Sequence, residues 1–246
     1  MHAALGRTVT TAWGRAHLLP ELHRVYDLNF LWVAGDGAGA DAGKLDAEAD
    51  RLLGGAALTH RRLLVEEPAA SRVGDGLARL RYSTARHAYL AHTSAPPPAP
   101  RADVEIAGIE DVVAALDRYL RTDPDTEYGR DDTTRGQLLQ HARIYGSAGA
   151  RERCFTVRSG GEVVAWAKLW TRDGVAQVED VVCLREHRGK GYGRDVVAAA
   201  TRTALAEHAE LLFIVADSAD WPKELYGRLG YRPVGEVAIH LRQAPR

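Results

Sequence analysis

The segment Arg188-Gly189-Lys190-Gly191-Tyr192-Gly193 constrains this chain most, because it joins an apolar strand candidate to an alanine-rich helix candidate. Glycines let the backbone turn tightly and let its N–H groups face an anion without side-chain clash. The helix that begins near Gly193 adds its positive end. Arg188, Lys190 and Arg194 supply mobile positive charge. Together these residues predict a pyrophosphate cradle. A glycine-rich turn with solvated charges is the other reading of the same residues. The spacing is neither G-x-x-x-x-G-K-[ST] nor G-x-G-x-x-G, so a nucleotide P-loop and the dinucleotide fingerprint are excluded.

The elements around the loop follow from apolar spacing. Val104–Ile106 reads as a short strand. Asp111–Arg121 and Thr133–Tyr145 read as helices, the second with an acidic start at Asp131 and Asp132. Cys154–Val157 and Val163–Trp166 form a hairpin across Arg158–Gly161. Val178–Cys183 is a strand, Gly193–Ala209 a helix, and Leu211–Val215 an apolar run expected of a central strand. Trp221–Leu229 is a helix ended by Gly230, and Val237–Leu241 a closing strand. The order β-α-α-β-β-β-α-β-α-β predicts an α/β fold with a mixed central sheet and helices against it.

The proline-rich stretch Ser94–Pro100 suits neither a helix nor a central strand. It is expected to be a stiff linker, with a small α/β unit at 1–93 and a second domain at 101–246; a surface loop within one domain is the alternative. Before it, Phe30–Val33, Leu63–Val65 and His87–Leu90 are strand candidates. Lys44–Leu53 and a segment after Pro68, with Val73, Leu77 and Leu80 at helical spacing, are helix candidates. No catalytic constellation appears in this half.

The glycine segment resembles the acyl-CoA-binding motif of the GNAT superfamily of N-acetyltransferases, R/Q-x-x-G-x-G/A, with Arg188, Gly191 and Gly193 at the motif positions. Val181–His187 resembles the family's fourth strand and its exit, the helix and Leu211–Asp217 its third main helix and fifth strand, and Leu225–Tyr231 its "LYxxLGF" end. The resemblance covers roughly Val104–Leu241. It implies an acyl-CoA N-acyltransferase-like fold whose fourth and fifth strands splay apart around the pantetheine arm of acetyl-CoA. It implies that Val181, Cys183 and Arg185 offer backbone groups to that arm, by the logic of strand addition. It assigns Arg188, Gly189, Lys190, Gly191, Tyr192, Gly193 and Arg194 to the cofactor loop. Many members carry an asparagine before the last helix. Here Asp217–Pro222 fills that stretch, so Ser218 is expected to replace the contact and Asp220 to cap the helix that Pro222 helps start. The first unit resembles an eroded copy without the glycine turn. Such a unit would complete the sheet, wall off the acceptor site or form a homodimer.

The reaction implied is direct attack of an amine on the acetyl thioester. Tyr226 matches the family tyrosine that protonates the departing sulfur. Glu179 is the first choice of base and Asp180 the second. Strand alternation predicts that they lie on opposite faces, Glu179 sharing its face with Gln177, Val181 and Cys183. Cys183 has no partner base and reads as buried, not nucleophilic. The acceptor is expected beside Thr122–Asp132. Its carboxylates Asp123, Asp125, Glu127, Asp131 and Asp132 either attract a cationic amine or form a solvated loop.

Charge and composition exclude the main rivals. Lys plus Arg is 32 and Asp plus Glu is 33, a net charge of −1, against a nucleic-acid surface. Ten histidines form no H-E-x-x-H or similar cluster, so no metal is expected. No apolar run reaches the length of a membrane span, and Met1–Thr11 lacks a secretory pattern. Two cysteines fit a reducing compartment, so a cytoplasmic location is expected. An acyl-CoA-binding protein of the same fold without turnover is the alternative to an enzyme.

Overall fold

The computed structural model describes residues 5–144 and 149–243. In chain order the elements are β1 (Arg7–Thr11), β2 (Gly14–Leu18), β3 (Phe30–Val33), α1 (Ala42–Ala49), β4 (His60–Glu66), α2 (Ala69–Arg79), β5 (Ser83–His92), β6 (Glu105–Ala107), α3 (Ile109–Thr122), α4 (Asp132–Ile144), β7 (Arg151–Ser159), β8 (Glu162–Arg172), β9 (Val175–Cys183), α5 (Tyr192–Ala206), β10 (Leu211–Asp217), α6 (Pro222–Arg228) and β11 (Tyr231–Gln243). The α/β class and the predicted order from Val104 onward are observed. The predicted end of α4 at Tyr145 lies outside the described residues. β1 and β2 carried no signal of their own.

The chain forms two compact units: Met1–Tyr89 with Ala216–Asp220 and Gly235–Arg246, and Leu90–Val215 with Trp221–Val234. This differs from a single cut at the prolines, because the closing stretch of chain returns to the first unit.

In the first unit β1 and β2 pair antiparallel, as do β2 and β3. β3 runs parallel to β4, and β4 pairs antiparallel with β11. The crossover from β3 to β4 contains α1, as a parallel connection requires. Leu31, Val33, Leu63 and Val65 from the strands meet Leu45, Leu53, Val73 and Leu77 from the helical segments in one core. Asn29 is fully buried. It is tolerated there because its amide bonds the backbone of Leu19, Leu22 and Val25.

In the second unit β6, β7, β8 and β9 pair antiparallel in sequence, and β10 joins β9 in parallel. Every residue of β8 from Val163 to Trp170 is buried, so both faces of the sheet are covered. Trp166 and Lys168 face α3 and α4: the Trp166 ring meets Tyr119 edge-on at 6.2 Å, and Lys168 reaches the Ala142 carbonyl at 3.4 Å. α5 packs across β7, β8 and β9. Its alanines 198, 200 and 204 are fully buried, and Thr201 donates to or accepts from the Tyr231 hydroxyl at 2.7 Å. The proline stretch is fastened to α5. Arg202 donates to the Pro97 carbonyl at 3.0 Å, and the Asp195 carboxylate accepts from Ala102 N–H at 2.9 Å.

Candidate functional site

β9 and β10 pair only from Leu211↔Val175 to Ile214↔Val178. β9 continues to Cys183 without that neighbour. Glu179, Asp180, Val181, Val182 and Cys183 are all half-buried, although β9 is an interior strand. Half-exposed valines and a β9 edge that β10 no longer covers leave room for an extended, amide-bearing chain. This is the splay the sequence resemblance implied.

The splay starts at a β-bulge. Lys168 lies opposite Glu179 and Trp166 opposite Val182, so two residues of β9, Asp180 and Val181, oppose Ala167 alone. Asp180 takes a left-handed φ of 53°, unusual for a non-glycine residue. The extra residue breaks the expected alternation. Cross-strand partners share a face, so Glu179 sides with Lys168, and Cys183, opposite Ala165, points the other way. The expectation that Glu179 and Cys183 share a face is therefore corrected. So is the expectation that Glu179 and Asp180 face apart, because Asp180 Oδ2 reaches Lys168 Nζ at 3.3 Å on the Glu179 side.

Lys168 was not singled out from sequence, although one lysine inside the apolar run Val163–Trp170 is an available signal. Its ammonium is buried among Asp180, Glu152 at 3.9 Å and the Ala142 carbonyl. Glu152 also accepts from the Trp170 indole at 2.6 Å. Glu179 accepts instead from the neutral Gln177 amide.

Beyond β9 a short turn of helix at Arg185–His187 leads into the glycine loop. Gly189 and Gly191 take φ of 78° and 85°, a region that L side chains rarely adopt. Gly191 is the N-cap of α5, and no side chain caps that helix end. A Cβ built at Gly189, Gly191 or Gly193 meets no atom within 4 Å. The loop is thus an open backbone surface at a helix N-terminus, which fits a diphosphate. Lys190 is exposed, 3.4 Å from His187, and His187 stacks on Tyr192.

The loop arginines are otherwise engaged. Arg194 pairs with Asp195 at 2.6 Å. Arg188 bonds Asp123 at 2.7 Å and Asp125 at 3.4 Å. Its expected role as mobile phosphate charge does not fit these contacts. The acidic run is equally committed. Glu127 lies 3.8 Å from Arg130, Asp131 caps α4 through Thr134, and Asp132 pairs with Arg135. These acids are paired yet mostly exposed, with Glu127 at 77% and Asp132 at 89%, so the segment is an ion-paired surface loop in which Asp123 alone of the five is enclosed.

Burial raises the Cys183 thiol, against the pull of Arg188, Lys190 and the Gly193 N–H, which disfavours the thiolate. Burial also pushes Cys154 up to about 12. Tyr226 is buried on α6, its ring 6.4 Å from Tyr231. Ser218 belongs to the first unit, where its hydroxyl donates to Glu236 and its N–H to the Arg86 carbonyl. These bonds occupy the donors expected to face the cofactor. Asp220 does not occupy the cap position: Trp221 does, without a side-chain cap bond, and Asp217 closes a turn onto Ala219 N–H. No group of three or more metal ligands occurs among the described residues. Among them, no helix is long and apolar enough to cross a membrane.

The first unit has a different helix start. At α2 the Glu67 carboxylate accepts from Ser71 N–H at 3.1 Å and pairs with Arg86 at 3.0 Å. A built-in anion occupies the place that α5 leaves open.

Residues 114–231 match the Acetyltransferase (GNAT) family. A 72-residue stretch is 34% identical to the uncharacterised N-acetyltransferase YobR of Bacillus subtilis (strain 168), covering 29% of this chain and 29% of that protein. The match thus spans less than a third of the relative. A GCN5-related N-acetyltransferase from Kribbella flavida superposes with a TM-score of 0.64 at 21% identity, over 100% of this chain and 92% of that one. A conserved protein of unknown function from Staphylococcus epidermidis ATCC 12228 superposes with a TM-score of 0.71 at 16% identity, over 98% and 95%. These two likenesses are of fold.

Proposed function

The chain carries a domain of the GNAT acetyltransferase family at residues 114–231, and from that premise we propose that it moves an acetyl group from acetyl-CoA to a primary amine in a ternary complex. The observation that carries this reading is the splay of β10 from β9 after Ile214, which opens beside the uncapped glycine loop.

In this reading the edge of β9 that β10 leaves uncovered along Val181–Cys183 binds the pantetheine amides, and the N–H groups from Gly189 to Arg194, with Lys190, hold the diphosphate. Acetyl-CoA supplies an acyl group activated as a thioester. Glu179 accepts the proton that the attacking ammonium must lose. It is the better base of the two carboxylates, because Asp180 is tied to a buried lysine. The Tyr226 hydroxyl donates a proton to the leaving sulfur. The nitrogen loses two protons in all: the first goes to Glu179 and on to solvent, and the second, released as the tetrahedral intermediate collapses, replaces the proton that Tyr226 gives to sulfur. Ammonium and thioester thus become amide, thiol and one released proton.

The acceptor is a small-molecule or peptide amine. The paired state of Asp123, Asp125 and Asp132 gives no support to selection by bare carboxylates. The first unit serves as an eroded copy without its own acyl-CoA site, a reading supported by Glu67 at the start of α2. Two free cysteines support a reducing, cytoplasmic setting.

Calorimetric titration with acetyl-CoA tests the assignment, followed by thiol release in an amine screen. Micromolar binding, about −8 kcal/mol, at one site per chain is expected. Absence of binding withdraws the function and leaves the fold.

A further inference from the structure

Arg188 opens the glycine loop, yet its side chain points into a different network. Nε donates to the Cys183 carbonyl at 3.1 Å, at the end of β9. Nη2 donates to Asp123 Oδ2 at 2.7 Å and Nη1 to Asp125 Oδ2 at 3.4 Å. All three guanidinium nitrogens are engaged, in directions set by the planar fork.

Asp123 ends α3 and begins the turn that follows. Its N–H donates to the Tyr119 carbonyl, and its other carboxylate oxygen accepts from Asp125 N–H at 3.0 Å. The buried Thr126 hydroxyl donates to the Asp123 carbonyl at 2.9 Å. The Asp123 side chain is 2% exposed. An ionised carboxylate so enclosed needs its cation, and withdrawal of Arg188 toward a phosphate would strand it.

We propose that Arg188 is a positioning residue: it fastens the Asp123–Thr126 turn to the end of β9, so that order in the glycine loop and order in the segment after α3 are coupled, and its guanidinium does not ligate the diphosphate. The backbone of Arg188 belongs to the loop, since its N–H donates to the Arg185 carbonyl at 3.2 Å, while its side chain belongs to the turn. One residue therefore transmits loop geometry to the segment where the acceptor is expected. The part of this inference that names the ligand rests on the acetyl-CoA reading. The fastening itself does not.

The test is a mutant cycle read by backbone hydrogen exchange over residues 119–131 and by calorimetry with CoA. The proteins are wild type, Arg188→Gln, Asp123→Asn, the double variant, Arg188→Lys and Lys190→Ala. Without ligand, Arg188→Gln and Asp123→Asn should each speed exchange about tenfold, the double no further, and Arg188→Lys should not restore protection. CoA should slow this exchange in wild type and not in Arg188→Gln, Asp123→Asn, the double variant or Arg188→Lys. CoA affinity should stay within about threefold in Arg188→Gln and Asp123→Asn, and fall by more in Lys190→Ala. Additive exchange effects overturn the fastening. A tenfold loss of CoA affinity confined to Arg188→Gln makes Arg188 a phosphate ligand and overturns the proposal. A wild type that binds no CoA overturns the functional reading and the coupling to that ligand, while the ligand-free cycle still decides the fastening.

Discussion

Lys168 Nζ sits 3.3 Å from Asp180 Oδ2, joining a buried ammonium on β8 to the bulged residue of β9. The pair holds the backbone where the sheet opens. Lys168→Met should leave Asp180 and Glu152 facing an apolar surface and cost about 3 kcal/mol. Adding Asp180→Asn should cost less than the sum of the single losses. Urea unfolding followed by Trp166 and Trp170 fluorescence gives both numbers; a neutral Lys168→Met would show that the pair does not hold the bulge.

Gly193 differs from its neighbours in the loop. Its φ is not in the left-handed region, and a Cβ there meets nothing within 4 Å. Gly193→Val should place a side chain in the cradle without backbone strain. Acetyl-CoA affinity should fall at least tenfold, about 1.4 kcal/mol, with Tm changed by only about 2–4 °C. Unchanged affinity would place the ligand elsewhere.

Glu179→Gln should lower kcat by about 10²–10⁴ with any accepted amine, and Tyr226→Phe should do so by a similar factor. Acetyl-CoA affinity should stay within about threefold in both. Asp180→Asn should act mainly on stability, through Lys168. A rate loss in Asp180→Asn with Glu179→Gln active would exchange the two carboxylates' roles.

Burial holds His17, His60 and His240 at about 4, below the usual 6.5, and all three belong to the first unit. In the unfolded chain each takes up a proton near pH 6.5, and in the fold each resists until about pH 4. The unfolded state therefore binds more protons in that window, and stability falls as pH drops through it. Each group can remove about 1–3 kcal/mol. Protection factors of β2 and β4 amides, corrected for the intrinsic pH dependence of exchange, should fall between pH 6.5 and 4 before those of β8. Equal or reversed loss would assign the acid sensitivity to other groups.

The predicted elements formed because their apolar periods are local. Leu211–Val215 became a strand, with Leu212 and Ile214 buried, Phe213 and Val215 half-buried and Leu211 exposed, and the alanines of α5 allow close packing on the sheet. β1 was invisible because Arg7–Thr11 holds one apolar residue, Val9, and gains its strand state from pairing with β2. The bulge at Asp180 was invisible for a related reason: it is a count between two strands, and β9 alone contains no glycine or proline to mark it. The glycine loop was readable by composition. The fate of Arg188 was not, because Asp123 stands far away in sequence and only the fold brings them together. Glu179 was readable as a candidate, but its face was not, since parity along β9 changes at the bulge.

β4 ends at Glu66, and its antiparallel neighbour in β11 begins pairing at Val237. On the order of 170 residues intervene, which a ribosome adds in about 10–30 s. Throughout that interval one edge of β4 emerges unpaired, the kind of edge that invites pairing with other chains. The half that is translated first is thus finished last, after the acetyltransferase-like half can already have closed. Heterologous expression should accordingly be limited by aggregation of the early half, and slower translation should aggravate it.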